Sequence, residues 1–265
     1  MDNPVALGIR QFTEAWRVMC AGAPGYVEEA ADGVQYVFSG TPIGFFNVAL
    51  LTGRDISSDG LKRHADTACA WAALRRVPWL FVITHERLTP GLDAAGILDG
   101  CGLATMMPLT GMLAGQIAAA DAIPDGLELT VADDDEACSA ILDVNGLAYG
   151  MDLEAGKDLI GKRAFWTTHV GVVGTTGGKL SCSAAVLMVD GYRYVALVAT
   201  DPSQQRRGYA DAAMRRALQH AAAVHGELPS VLHATEAGRP IYERMGYRTI
   251  SNHTVFMEKT FLNGH

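Results

Sequence analysis

Residues 194–225 constrain this chain more than any other stretch. A β-type run (194–200) passes through Asp201-Pro202 into a polar, glycine-bearing turn (205–210). The turn opens a long helix in which Ala210, Ala213, Met214, Ala217, Leu218, Ala221 and Val224 recur at the 3.6-residue period. Gly226 ends it. Strand, turn and helix in this order bring free backbone N–H groups and the positive end of a helix dipole to one point. Such a point is a cradle for a phosphate or pyrophosphate.

The rest of the composition narrows what could use that cradle. A chain of 265 residues with 49% hydrophobic and 19% charged residues is globular, with room for one large domain or two ordinary ones. A formal charge of −8 argues against a general nucleic-acid or anionic-membrane surface. Cys20, Cys69, Cys101, Cys138 and Cys182 are odd in number, far apart and without a CxxC pair, as expected of reduced thiols in a cytoplasmic protein. The N-terminus lacks the apolar run of a signal peptide. Residues 100–120 carry no charge but include Pro108, four glycines, two threonines and Gln116, so they read as a buried strand and a connector rather than a membrane span.

In the first half, helices are expected over residues 12–19, 59–75 and 93–99, the second capped by Ser58 or Asp59. Strands are expected over 34–38, 45–51, 79–83 and 105–113. The strand-to-helix connection 52–60 is polar but lacks regular glycines, and His64 and His85 are isolated. Residues 118–126, with an alanine run and Pro124-Asp125-Gly126, read as a linker.

In the second half, residues 127–132 alternate as a strand. Asp133 to Glu136 suit a helix N-terminus better than a metal site, and no metal is expected. A helix over 137–144 is broken by Asn145-Gly146, and a second covers 151–160. The runs 165–173, 180–189 and 192–199, separated by hairpin signals, form an antiparallel meander. Strand 230–233 leads to Pro240, which is tolerated in the first turn of a short helix ended by Gly246, and 249–258 returns as a strand.

Gln205-Arg206-Arg207-Gly208-Tyr209-Ala210 fits Q/R-x-x-G-x-G/A, and Pro240 to Tyr247 supplies a short helix with a tyrosine, then glycine and an aromatic. In this order the two motifs resemble the GNAT superfamily of acyl-CoA-dependent N-acyltransferases over residues 127–258. The resemblance implies that the backbone of Arg206, Arg207, Gly208, Tyr209, Ala210 and Asp211 holds a coenzyme A pyrophosphate. It implies that Val198, Ala199 and Thr200 pair with the pantetheine arm as an added strand, one amide polarising the acyl carbonyl. It also implies that Tyr242 is the general acid for the departing thiolate. A buried core tyrosine is the bland alternative. Thr235 stands where many members have Asn, and Gly238 where many have Ala; coenzyme contact at Thr235 is expected to survive. The strand 194–200 has no glutamate to serve as base, which leaves His233, Glu236, Asp190 or a water. Arg215 and Arg216 read as an exposed helix face.

Residues 95–105 echo 239–249 in register, with isoleucine, acid, glycine and threonine matching and Leu98 in the place of Tyr242. The expected fold is therefore α/β (α+β), with two GNAT-like domains, each a mostly antiparallel central sheet flanked by helices. Residues 1–125 form a degenerate copy and 126–265 the acetyl-CoA-binding copy. The expected activity is acetyl transfer from acetyl-CoA to a primary amine of a small-molecule acceptor, by direct attack in a ternary complex. A non-catalytic acyl-CoA-binding module and a protein N-terminal acetyltransferase are the alternatives. No nucleic acid or membrane partner is expected.

Overall fold

The computed structural model describes residues 3–118 and 122–262. In chain order its elements are α1 (Pro4–Cys20), β1 (Val27–Ala31), β2 (Val34–Phe38), β3 (Asn47–Leu51), α2 (Ser58–Ala73), β4 (Leu80–Thr84), α3 (Ala94–Gly100) and β5 (Leu103–Ala114). There follow β6 (Leu127–Val131), α4 (Asp135–Tyr149), α5 (Lys157–Ile160), α6 (Arg163–Trp166), β7 (Val170–Thr176), β8 (Lys179–Val189) and β9 (Tyr192–Thr200). The last are α7 (Tyr209–His225), β10 (Ser230–Ala234), α8 (Arg239–Arg244), β11 (Arg248–Glu258) and α9 (Lys259–Leu262). By packing, the chain divides into two compact units. One is Met1–Met112 with Ala234–Arg239 and Thr249–His265; the other is Leu113–His233 with Pro240–Arg248.

In the first unit the strands run β1-β2-β3-β4-β11-β5. β1, β2 and β3 form an antiparallel meander, and α2 carries the chain over to β4, which lies parallel to β3. α2 presents Leu61, Ala65, Ala68 and Ala72, a face of small side chains that lets the helix lie close to Tyr36, Phe38, Phe81 and Ile83. β11, from the far end of the chain, pairs antiparallel with β4, His253 opposite Thr84 and Phe256 opposite Phe81.

The second unit repeats that plan. β6, β7, β8 and β9 are antiparallel in sequence order, and α7 crosses to β10, parallel to β9. The meander expected from the hairpin signals is present. α4 closes a core around Ala132, Cys138, Ile141, Trp166, Val173 and Ala185. α7 buries Tyr209, Ala213, Met214, Ala217, Leu218 and Ala221.

Several elements differ from expectation. β1 was not foreseen: its residues are mostly exposed and do not alternate. α2 is capped by Ser57, whose hydroxyl accepts from the Gly60 N–H, not by Ser58 or Asp59. α4 runs through Asn145-Gly146 and ends at Gly150 in the left-handed region (φ 64°). The expected helix 151–160 is a 3₁₀ turn plus the single-turn α5, and the start of the expected strand 165–173 is α6. Of the expected linker, residues 119–121 lie outside the described residues. Asp134 caps α4 through the Ala137 N–H, and Asp135 accepts from the Arg163 N–H, which accounts for two of the acidic cluster. Among the described residues no helix is long and apolar enough to cross a membrane.

Candidate active site

β9 is bent by a bulge. Ala196 faces Ala185 and Ala199 faces Ser183, so Leu197 and Val198 together oppose Ala184. Leu197 takes a positive φ of 51°, a conformation that costs a non-glycine residue about 1–2 kcal/mol. Its carbonyl is held by the Ser183 hydroxyl at 2.9 Å and by Asn145 Nδ2 at 3.2 Å. Asn145, buried in α4, also donates to the Ile141 carbonyl at 2.7 Å and the Ser183 oxygen at 3.0 Å. One turn on, the Tyr149 hydroxyl donates to the Val198 carbonyl at 3.0 Å. β10 accompanies β9 only from Arg193 to Val195. Beyond Val195, among the described residues, that edge of β9 has no ladder partner, so the backbone of Val198, Ala199 and Thr200 borders a gap an extended ligand can enter.

β9 delivers the chain into the cradle. Asp201 accepts from the Ser203 N–H at 2.8 Å and starts a short 3₁₀ turn, Pro202–Gln204. Arg206 (φ 62°) and Gly208 (φ 81°) both lie in the left-handed region. Gly208 occupies the N-cap of α7 without a side-chain cap. The first helical bond comes from Ala212 N–H to the Gly208 carbonyl. Among the described residues, none of the backbone N–H groups of residues 206–211 donates a hydrogen bond. Six unsatisfied donors at the positive end of a 17-residue helix fit an anion such as a pyrophosphate. The side chains of Arg206 and Arg207 are exposed, while that of Tyr209 is buried, leaving Tyr209 only its backbone to offer.

Tyr242, on α8, is half-buried. Its ring lies 6.1 Å from that of Tyr247, tilted by 64°. Tyr247 is fixed by its N–H on the Tyr242 carbonyl and its hydroxyl 2.5 Å from Ser230 Oγ. Among the described residues the Tyr242 hydroxyl has no hydrogen-bond partner. Burial, then the neighbouring phenols of Tyr149 and Tyr247, raise its pKa above the ordinary tyrosine range, so it is a held proton.

Residues 172–263 match the family model described as an acetyltransferase (GNAT) domain. Over those residues the chain is similar to a GNAT domain. Over its whole length the fold is similar to a GCN5-related N-acetyltransferase from Kribbella flavida, at 18% identity and a TM-score of 0.66, covering 95% of this chain and 96% of the other. A functionally unknown conserved protein from Staphylococcus epidermidis ATCC 12228 has a TM-score of 0.61 at 10% identity, covering 89% and 94%. A tandem GNAT protein from the clavulanic acid biosynthesis pathway has a TM-score of 0.53 at 13% identity, covering 96% of each chain. A comparison with curated proteins gives no match.

The remaining candidates divide. His233 Nδ1 lies 2.9 Å from the buried Tyr194 hydroxyl, at the point where β10 leaves β9. Asp190 occupies the β8–β9 turn, seven residues or about 23 Å of strand from Leu197, too far to act at the bulge. Thr235 and Glu236 belong to Ala234–Arg239, which packs with the first unit. The Thr235 hydroxyl accepts from the Gly238 N–H at 3.3 Å, closing the turn before α8. Arg215 is not the exposed charge the helix pattern suggested: it pairs with Asp211 at 2.7 Å and donates to the Ala118 carbonyl. Asn145 and Tyr149 were not foreseen as site residues, because their partners stand far off in sequence.

The first unit has the matching place after β3, and it is filled. Ser57 caps α2, Ile56 N–H bonds the Arg87 carbonyl, and the Ile56 side chain joins the core. Leu98, opposite number of Tyr242 in the sequence echo, is wholly buried in the same core.

Proposed function

We propose that the chain is an N-acetyltransferase moving an acetyl group from acetyl-CoA to a primary amine of a small acceptor. Two halves, 1–125 and 126–265, would share the GNAT plan, and only the second would hold coenzyme. The observation that carries this reading is the uncapped N-terminus of α7 directly after a bulged strand with an open edge. Arg206 to Asp211 would hold the pyrophosphate through backbone N–H groups. Val198, Ala199 and Thr200 would align the pantetheine arm by strand addition. Thr235, one residue past β10, would give a further polar contact. Bound there, acetyl-CoA supplies an acyl group activated by its sulfur.

The chain's own part is positioning and proton transfer. The bulge turns backbone donors toward the gap and is stiffened by Asn145, Ser183 and Tyr149, so they need not reorganise as negative charge grows on the acyl oxygen. Attack forms a C–N bond, the C–S bond breaks, and Tyr242 gives its proton to the sulfur. No carboxylate stands on β9, so the amine's proton leaves through His233 or water. Five free thiols suit a cytoplasmic setting.

The test is thiol release from acetyl-CoA across a panel of small primary amines. Turnover with an amine supports the reading. Tight coenzyme binding without turnover on any amine points instead to a non-catalytic acyl-CoA-binding module, the reading favoured by the missing carboxylate.

A further inference from the structure

Asp201 N–H donates to the Ser181 carbonyl at 2.9 Å, and Ala199 faces Ser183 across the β8–β9 ladder. Successive strand residues send their carbonyls to opposite sides. Ala199 therefore turns its carbonyl to β8, while Val198 and Thr200 turn theirs to the edge that β10 has left. Those two carbonyls are the acceptors that the N–H groups of an extended ligand would meet. The one nearer the bulge is taken, because the Tyr149 hydroxyl donates to the Val198 carbonyl at 3.0 Å.

Tyr149 is held lightly. Among the described residues that bond is the only hydrogen bond of its side chain. The residue is 50% exposed and is the last of α4, followed by Gly150 in the left-handed region. It can swing outward without opening the core around Cys138, Ile141 and Trp166. Asn145, one turn earlier and buried, keeps its grip on the Leu197 carbonyl, so the bulge survives the loss of Tyr149. Tyr149 also stands close enough to Tyr242 for its phenol to raise that group's pKa, which puts both phenols at one gap.

We propose that Tyr149 is a specificity-determining residue of this gap: its hydroxyl occupies the Val198 carbonyl until a ligand amide N–H replaces it, so the edge selects extended, amide-bearing ligands. The inference rests on the coenzyme reading of the site. It divides such a ligand in two. A nucleotide diphosphate fills the cradle of residues 206–211 and leaves Tyr149 in place, whereas the amide arm must exchange it. In the empty site Tyr149 stiffens the edge; in the complex the ligand amide takes over that bond.

The probes are coenzyme A and adenosine 3′-phosphate 5′-diphosphate, the same nucleotide without the amide arm. Each is titrated calorimetrically into the full chain and into Tyr149→Phe at fixed ionic strength. Phenylalanine keeps the ring and removes the competing hydroxyl. Tyr149→Phe is expected to bind coenzyme A about three- to tenfold more tightly and the amide-free nucleotide equally well, with the parent's melting transition. Equal coenzyme A affinity in the two proteins overturns the proposal, because the carbonyl then accepts both bonds at once. Weaker coenzyme A binding in the variant overturns it too, since the hydroxyl would then be a ligand contact. A gain shared by both probes does the same, because the hydroxyl would then act on the cradle. A parent that binds neither probe removes the coenzyme reading itself and this inference with it; a parent that binds both keeps that reading whatever Tyr149→Phe does.

Discussion

A leucine at φ 51° inside a strand persists only because its surroundings over-determine it. Leu197 is such a residue, and the groups that hold it are testable. Leu197→Gly removes the steric cost and is expected to raise unfolding stability by up to about 1 kcal/mol, whereas Leu197→Val, β-branched, lowers it by more; urea midpoints check both. Asn145→Ala leaves the Leu197 carbonyl to Ser183 alone and is expected to cost about 1–3 kcal/mol. If the bulge aligns the acyl carbonyl, the same variant also loses kcat in the thiol-release assay. Tyr242→Phe is expected to lower kcat about 100-fold with little change in KM; full turnover at both ends of the pH range would remove Tyr242 from the chemistry. The short helix that carries Tyr242 was legible because Pro240 and Gly246 bracket it within a few residues. Asn145 was not. An Asn-Gly pair signals a turn, and nothing nearby announces that Ser183 and Leu197 stand ready to satisfy a buried amide.

Two helices answer the same geometrical demand differently. α2 and α7 each follow the last strand of an antiparallel meander, and each begins with orphan N–H groups. α2 supplies a cap from its own chain, and α7 does not. Ser57→Ala is therefore expected to cost about 1 kcal/mol of stability and leave coenzyme binding untouched. Gly208→Ala puts a Cβ on a residue at φ 81°, in ordinary contact distance of Pro124, so the strain is in the backbone. It is expected to weaken coenzyme binding about tenfold, as read by calorimetry. Helix faces and hairpins were legible because the 3.6- and 2-residue periods follow the buried faces. β1 was not, since an exposed strand of the form VEEAA buries too little to leave a period.

The sheet of the first unit is completed by β11. β11 lies between β4 and β5, and His253 spans the pairing, with Nδ1 3.0 Å from Thr84 Oγ1 and Nε2 2.8 Å from Ser251 Oγ. Burial pushes the His253 imidazole from its ordinary 6.5 down to about 4. The folded chain thus refuses a proton that the unfolded chain accepts below about pH 6.5. The contribution is complete above that pH and is lost as pH falls toward 4, a span of about 3 kcal/mol. The urea midpoint is expected to drop over this window, and less steeply in His253→Gln. The repeat of residues 95–105 in 239–249 hinted at two like halves, but a sequence echo carries no information about which partner a strand selects.

That choice of partner has a consequence during synthesis. Residues 248–258 leave the ribosome only after residues 113–233 of the second unit, so the first sheet waits, with the β4 edge bare, until that stretch has been made. Domains that fold from the N-terminus as they emerge do not face this delay. A nascent chain stalled before residue 248 should remain protease-sensitive across its first hundred residues and bind holding chaperones, and release of the last strand should end both at once.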